Sequence, residues 1–195
     1  KNPNRNVQVE VVMGKESPQG LYDSSFEHDS CGVGFIVNVD GEPSHEIISD
    51  GLTILKNLVH RGAVGGDLKT GDGAGMLIQI PHFYFRKESK ALGFSLPYPD
   101  AYGAGFLYLS QNSDIREKMV AAVESVVQQE GGRLLGWRDV PVQPDCLGEM
   151  ALASMPYMKQ VFVQFGELTG VDLERKLYIV RKCIEREAGR IGLPL

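Results

Sequence analysis

The chain has 195 residues, of which 43% are hydrophobic and 23% charged, with a formal net charge of −5. That suits one ordinary domain, or one domain with a tail, with enough apolar residues for a real core. The acidic balance argues against a nucleic-acid partner, and no apolar run approaches the ~20 residues that a membrane helix requires.

The opening Lys1-Asn2-Pro3-Asn4-Arg5-Asn6 lacks the apolar core of a secretory signal, and the missing initiator methionine points to sequence upstream. Three cysteines, Cys31, Cys146 and Cys183, are odd in number and widely spaced, with no Cys-x-x-Cys pair. This argues against a disulfide framework and against a zinc or iron–sulfur site within the chain. A reducing compartment follows, either cytoplasm or an organelle matrix.

Residues 1–30 form a polar start, a short β-like run at 7–13, and a stretch from Gly20 to Ser30 rich in turn formers and charge. No amphipathic element there is long enough to bury a face, so 1–30 reads as a leader or propeptide and 31–195 as the structured body. The β-branched and aromatic residues of 33–39 predict a largely buried strand, ended by an Asp40-Gly41 turn. Pro43-Ser44 opens a helix, with Ser44 capping and Glu46 in the first turn. Its apolar positions Ile48, Leu52, Leu55 and Val59 share one face, widened by Ile47, Ile54 and Leu58.

A glycine-bearing loop occupies 60–70, and the glycines of 71–75 lead into a second apolar strand at 76–80, which Pro81 ends. A short helix is expected at 82–92, a proline-containing loop at 96–101 and a third strand at 103–109. A helix from an Asp114 cap to about Glu130 follows, with Ile115, Met119, Val123 and Val127 on one side and Gly131-Gly132 as its stop. Residues 134–142 and 159–165 read as strands, and 145–153 as a short helix ended by Met155-Pro156. In 159–165, Val161, Val163 and Phe165 alternate with Gln160, Phe162 and Gln164. The clearest helix is 172–187, in which Leu173, Leu177, Val180 and Ile184 face one way. Strands interleaved with helices suggest layers of helix packed on sheet.

Cys31 stands at the boundary between leader and body. One reading is a small buried hydrophobe. Another is a nucleophile, since Gly32 and Gly34 would let the backbone approach a ligand closely. If the Ser30–Cys31 bond is cut, Cys31 gains an α-amine with a pKa of about 8, which can take the thiol proton. Uncut, the nitrogen is an amide and this base does not exist. A conventional Cys–His pair is the competing arrangement, with His60 as the only reasonable partner.

Arg61 either meets the negative C-terminal end of the preceding helix or organises the loop around a carboxylate or a turn. Thr70-Gly71-Asp72-Gly73-Ala74-Gly75 invites a phosphate-loop reading, but Gly-Lys-Ser/Thr is missing and no helix follows. A flexible turn feeding a strand, placed near the site, fits better.

Taken in order, Leu21-Tyr22-Asp23, Glu27-His28-Asp29-Ser30-Cys31-Gly32-Val33-Gly34-Phe35, Leu58-Val59-His60-Arg61-Gly62-Ala63-Val64 and Lys69-Thr70-Gly71-Asp72-Gly73-Ala74-Gly75-Met76-Leu77-Ile78-Gln79-Ile80-Pro81 strongly resemble the processing junction and following region of the glutamate synthase large subunit. The likeness covers essentially everything from Gly20 onward. It implies a class II glutamine amidotransferase domain of α+β class, a four-layer αββα sandwich of the N-terminal-nucleophile hydrolase type, incomplete here at the C-terminal end.

In that family the mature chain begins at the residue matching Cys31, whose thiolate attacks the glutamine side-chain amide. Arg61, Gly62, Gly71, Asp72 and Gly73 are the accompanying substrate-binding or site-organising candidates. Ammonia then passes to a synthase domain of the same chain, which aminates 2-oxoglutarate with FMN and an iron–sulfur cluster, neither of them held by the residues present here. L-Glutamine is the implied substrate, and an electron-donor subunit or ferredoxin an implied partner. The family's Arg-Phe-Ser-Thr and Asn-Gly-Glu stretches, for the glutamine carboxylate and the oxyanion, do not occur in this sequence. Oxyanion donors are worth about 2.7–4 kcal/mol each in comparable sites, so the chain by itself is expected to be a poor catalyst or none. Another amidotransferase of the class, or a non-catalytic module binding glutamine or a partner, are the alternatives.

Overall fold

Alternation at a period of two, in a run with apolar residues on both faces, makes Tyr157–Gln164 (β3) the centre of the molecule. The computed structural model describes residues 32–58, 67, 69–71 and 73–192. In it, β3 pairs antiparallel with Gly103–Leu109 (β1) on one side and Arg133–Asp139 (β2) on the other, giving the order β1-β3-β2. The α+β class holds at this level: helices packed on a small antiparallel sheet.

Two helices cover one face of the sheet. Ser113–Gln129 (α3) and Gly170–Arg190 (α5) bring Val123, Val126, Val127, Leu173 and Val180 against Val161, Val163 and Phe165. The predicted faces of both helices are the ones buried. The start of α3 is set by Asn112 rather than Asp114: the Asn112 Oδ1 accepts from the Ile115 amide at 3.1 Å. Asn112 is extended and can aim its side chain at the open amides, whereas Asp114 already lies within the first turn. The stop is as expected. Gly131 has φ +75°, its amide bonds to the Gln128 carbonyl and that of Gly132 to the Val127 carbonyl, which together form a Schellman closure.

The opposite face carries Phe162, which is 1% exposed. Phe85 of His82–Ala91 (α2), Phe94 and Tyr102 surround it with ring centroids 5.1, 5.6 and 6.4 Å away. The predicted alternation in β3 is therefore right, and its Gln160–Phe162 side is a second core. Between Leu134 and Gly136 the β2–β3 register shifts by a bulge. Leu135 packs with the Phe162 cluster, while Leu134 and Trp137 pack with the helices. The next residue, Arg138, turns toward α2. There it donates to Glu88 at 3.1 Å, Tyr84 Oη at 2.7 Å and Gln160 Oε1 at 2.9 Å.

Beyond β2 come a 3-10 turn, Pro144–Cys146, and the short helix Glu149–Ser154 (α4). The first helix, His45–Asn57 (α1), is capped by Ser44 through the Ile47 amide, as its sequence predicts. The Asp40-Gly41 turn also forms, with Gly41 at φ +72°.

The two strands expected at 33–39 and 76–80 do not form. Residues 32–38 and 73–80 belong to no strand, and Val33, Phe35 and Leu77 are 91%, 90% and 100% exposed. Apolar, β-branched composition favours the extended backbone, but a ladder needs a neighbouring edge to exchange hydrogen bonds, and among the described residues these segments have none. They lie against α1 instead, as Met76 does against Gly51. Along β1 the sheet edge is also open: an apolar groove of about 630 Å³ runs beside it, lined by Leu107, Met119, Val123, Leu177, Val180 and Ile184.

Candidate active site

The segment 32–38 leaves the position of Cys31 and runs along α1. Glycines 32 and 34 make this possible: a β-carbon would lie 2.8 Å from a Leu58 methyl at Gly32 and 2.5 Å from an Ile54 methyl at Gly34. The sequence reading gave these glycines to close approach of a ligand. Their neighbours are α1 side chains, so in this structure their smallness serves packing. Cys31 itself lies outside the described residues, as do His60, Arg61, Gly62 and Asp72.

Gly71 and Gly73 are described. Gly71 forms an isolated β-bridge and is exposed. Among the described residues, a β-carbon at Gly73 would meet nothing within 4 Å.

Just ahead of them lies a turn that sequence reasoning missed. The Asp67 carboxylate accepts from the Lys69 amide at 3.2 Å, the Thr70 amide at 2.6 Å and the Thr70 hydroxyl at 2.6 Å. It also accepts from the Met150 amide at 3.2 Å, and the Thr70 hydroxyl oxygen accepts from the Ala151 amide at 3.4 Å. The N-terminus of α4 has no side-chain cap of its own, and a residue 83 positions earlier supplies one. The Thr70 hydroxyl above all, then the amides, hold the Asp67 carboxyl down at about 2. Asp67 followed by Thr70 is the local signal that an aspartate caps its own turn. Nothing local announces the remote amides.

The described histidines take other parts. His45 lies in α1 near the Ser49 hydroxyl, and His82 opens α2 with its Nδ1 3.3 Å from Tyr102 Oη. Burial, with Asp100 nearby, pushes the Tyr102 phenol up to about 12. For a metal or iron–sulfur cluster the donor set does not fit. Among the described residues no group of three or more His, Cys, Asp or Glu is positioned to hold an ion. Cys146 sits in the 3-10 turn with its thiol on the Gln143 carbonyl, while Cys183 lies on α5 beside Glu130. Among the described residues no helix is long and apolar enough to cross a membrane.

Comparison with known proteins gives the family. The model of the class-II glutamine amidotransferases matches residues 31–192. The chain is 43% identical over 177 residues to the glutamate synthase (NADPH) large chain of Bacillus subtilis, covering 90% of this chain and 12% of that one. It is 39% identical over 172 residues to the chloroplastic ferredoxin-dependent glutamate synthase 2 of Arabidopsis thaliana, covering 87% and 11%. To the glutamate synthase (NADH) of Schizosaccharomyces pombe it is 38% identical over 171 residues, covering 84% and 8%. The chain thus spans only a small part of the length of these curated relatives. With a family match running through nearly all of its structured body, the chain belongs to the class-II glutamine amidotransferases.

Proposed function

We propose that the chain is the glutaminase portion of a glutamate synthase, with Cys31 as its N-terminal nucleophile. The observation that carries this reading is that the family match opens where the sequence passes from leader to body. The family match opens at residue 31, and the relatives that share this region are glutamate synthases. Cleavage of Ser30–Cys31 frees the α-amine, which accepts the thiol proton. The thiolate attacks the side-chain amide carbon of L-glutamine, forming a thioester as ammonia leaves with that proton. Water then hydrolyses the thioester to glutamate and restores the thiol.

Arg61 and Gly62 organise the loop after α1, and Gly71, Asp72 and Gly73 form the strip along which glutamine lies. Residues 1–30 are the propeptide. The ammonia goes to a synthase domain of the same parent chain for amination of 2-oxoglutarate. FMN and the iron–sulfur cluster belong to that parent; among the described residues no group of His, Cys, Asp or Glu is placed to hold an iron–sulfur cluster. An electron-donor subunit or ferredoxin completes the parent assembly, in cytoplasm or an organelle matrix.

For the architecture we propose the four-layer αββα sandwich. Two features support it. The α3–α5 layer backs one face of the sheet, while Phe106 and Tyr108 on the opposite face stay 55% and 62% exposed. The apolar segments 32–38 and 73–80 have the composition of strands for a second sheet.

The test is glutaminase activity of the full-length protein with Cys31 replaced. Cys31→Ala is expected to abolish glutamine hydrolysis, and activity near the wild-type level in that variant would refute the reading.

A further inference from the structure

We infer that Asp67, Thr70 and Gly148 form a latch that positions Gly71, the first of the glutamine-binding candidates, making Asp67 and Thr70 positioning residues for glutamine hydrolysis. The inference rests on the glutaminase reading above.

The latch is built from both sides. On one side, the Asp67 carboxylate folds its own turn through the Lys69 and Thr70 amides and the Thr70 hydroxyl. On the other, the same carboxylate and the same hydroxyl take the Met150 and Ala151 amides, at separations of 83 and 81 residues. One turn is thereby fastened to α4, and α4 runs through Met155-Pro156 directly into β3, the central strand. Gly71 follows Thr70 immediately. Its backbone is thus one peptide from an anchor tied to the most buried element of the fold.

Gly148 makes the fastening possible. Its backbone, at φ −76° and ψ 164°, is one that any residue adopts, so conformation does not require glycine there. Space does: a β-carbon at position 148 would run into Asp67 Oδ2 and Thr70 Oγ1, and would lie 2.7 Å from the Thr70 nitrogen. A helix start with a polar side chain of its own would cap itself. This one leaves the place empty and receives a carboxylate from the turn that leads to the site.

Substrate-positioning geometry of this kind shows in substrate affinity, because a shift of about 1 Å in a binding strip is costly while the chemistry stays intact. The experiment uses the full-length, processed enzyme, with kinetics normalised to sites titrated by an alkylating glutamine analogue. Thr70→Val keeps the shape of the side chain and removes the hydroxyl that bonds both Asp67 and Ala151. It is expected to raise the KM for glutamine about tenfold, the scale of one charge-assisted hydrogen bond, with kcat per titrated site changed far less. Thr70→Ser, which keeps the hydroxyl, is expected to bring KM back to within about threefold of wild type on the same reasoning. Should Thr70→Val give no folded enzyme, Asp67→Asn serves instead, since its amide cannot accept at the second oxygen, and the same rise in KM is expected.

A wild-type KM per titrated site in Thr70→Val or Asp67→Asn overturns the latch, and so does a Thr70→Ser variant as impaired as Thr70→Val. Cys31→Ala in the same assay separates the two claims. Hydrolysis persisting there refutes the glutaminase reading. A dead Cys31→Ala beside an unaffected Thr70→Val refutes the latch alone.

Discussion

Asp67 shows how much a single side chain can organise once its neighbours are all donors. Its folded carboxyl lies near 2, while an aspartate in an unfolded chain titrates near 3.9. A depressed folded value means that the charged form is the one bound, so the contribution to stability is fully present above about pH 4 and is lost as pH falls toward 2. An NMR titration of the Thr70 and Met150 amide shifts is expected to show a midpoint near 2; a midpoint near 4 would mean the contacts are absent. Arg138 is the other residue with a large local stake. It is 7% exposed on the sheet, and its guanidinium is satisfied by Glu88, Tyr84 and Gln160. Removing its ionic partner through Glu88→Ala leaves the guanidinium with Tyr84 and Gln160 alone, and because Glu88 is 35% exposed a urea melt is expected to register a loss of about 1–3 kcal/mol. Arg138→Met, which removes the charge itself, is expected to cost clearly less than that.

At the scale of elements, local rules carried most of what was readable. Helical spacing located α1, α3 and α5 and the buried faces of α3 and α5, while the predicted face of α1 stays partly exposed, Leu52 at 47%; capping chemistry gave the Ser44 start and the Gly131-Gly132 stop. Where two polar residues competed for a cap, spacing alone chose Asp114, and the backbone chose Asn112. Asn112→Ala is therefore expected to destabilise the fold by about 1 kcal/mol and Asp114→Ala by less, measured side by side in thermal melts. Strands were harder to read, for a physical reason. Apolar alternation states a preference for extended backbone, whereas a ladder depends on a partner distant in sequence. Gly103–Leu109 and Tyr157–Gln164 have such partners and form as expected; among the described residues 33–39 and 76–80 do not. The bulge at Leu135, which sends Arg138 toward α2, left no trace in composition. Nor did the Asp67 latch, whose two halves are 83 residues apart.

On the scale of the whole molecule, the described fold is a helix layer on a small sheet with apolar surface left open: the groove beside β1, the Phe106–Tyr108 face, and the apolar segments along α1. Exposed apolar patches of this kind mark interaction surfaces or ligand-binding grooves. The candidate site was legible in a different way from the fold. Cys31, Arg61, Gly62 and Asp72, which lie outside the described residues, were picked out by motif order. Gly71 is where the structure adds geometry, one peptide from a fastened turn. The central claim is that chain processing creates the catalytic base. Its most direct measurement is the N-terminal sequence of the mature full-length enzyme. The account predicts that it begins Cys-Gly-Val-Gly-Phe, from Cys31 onward; an active enzyme whose chain retains Ser30, or starts at any other residue, would contradict it.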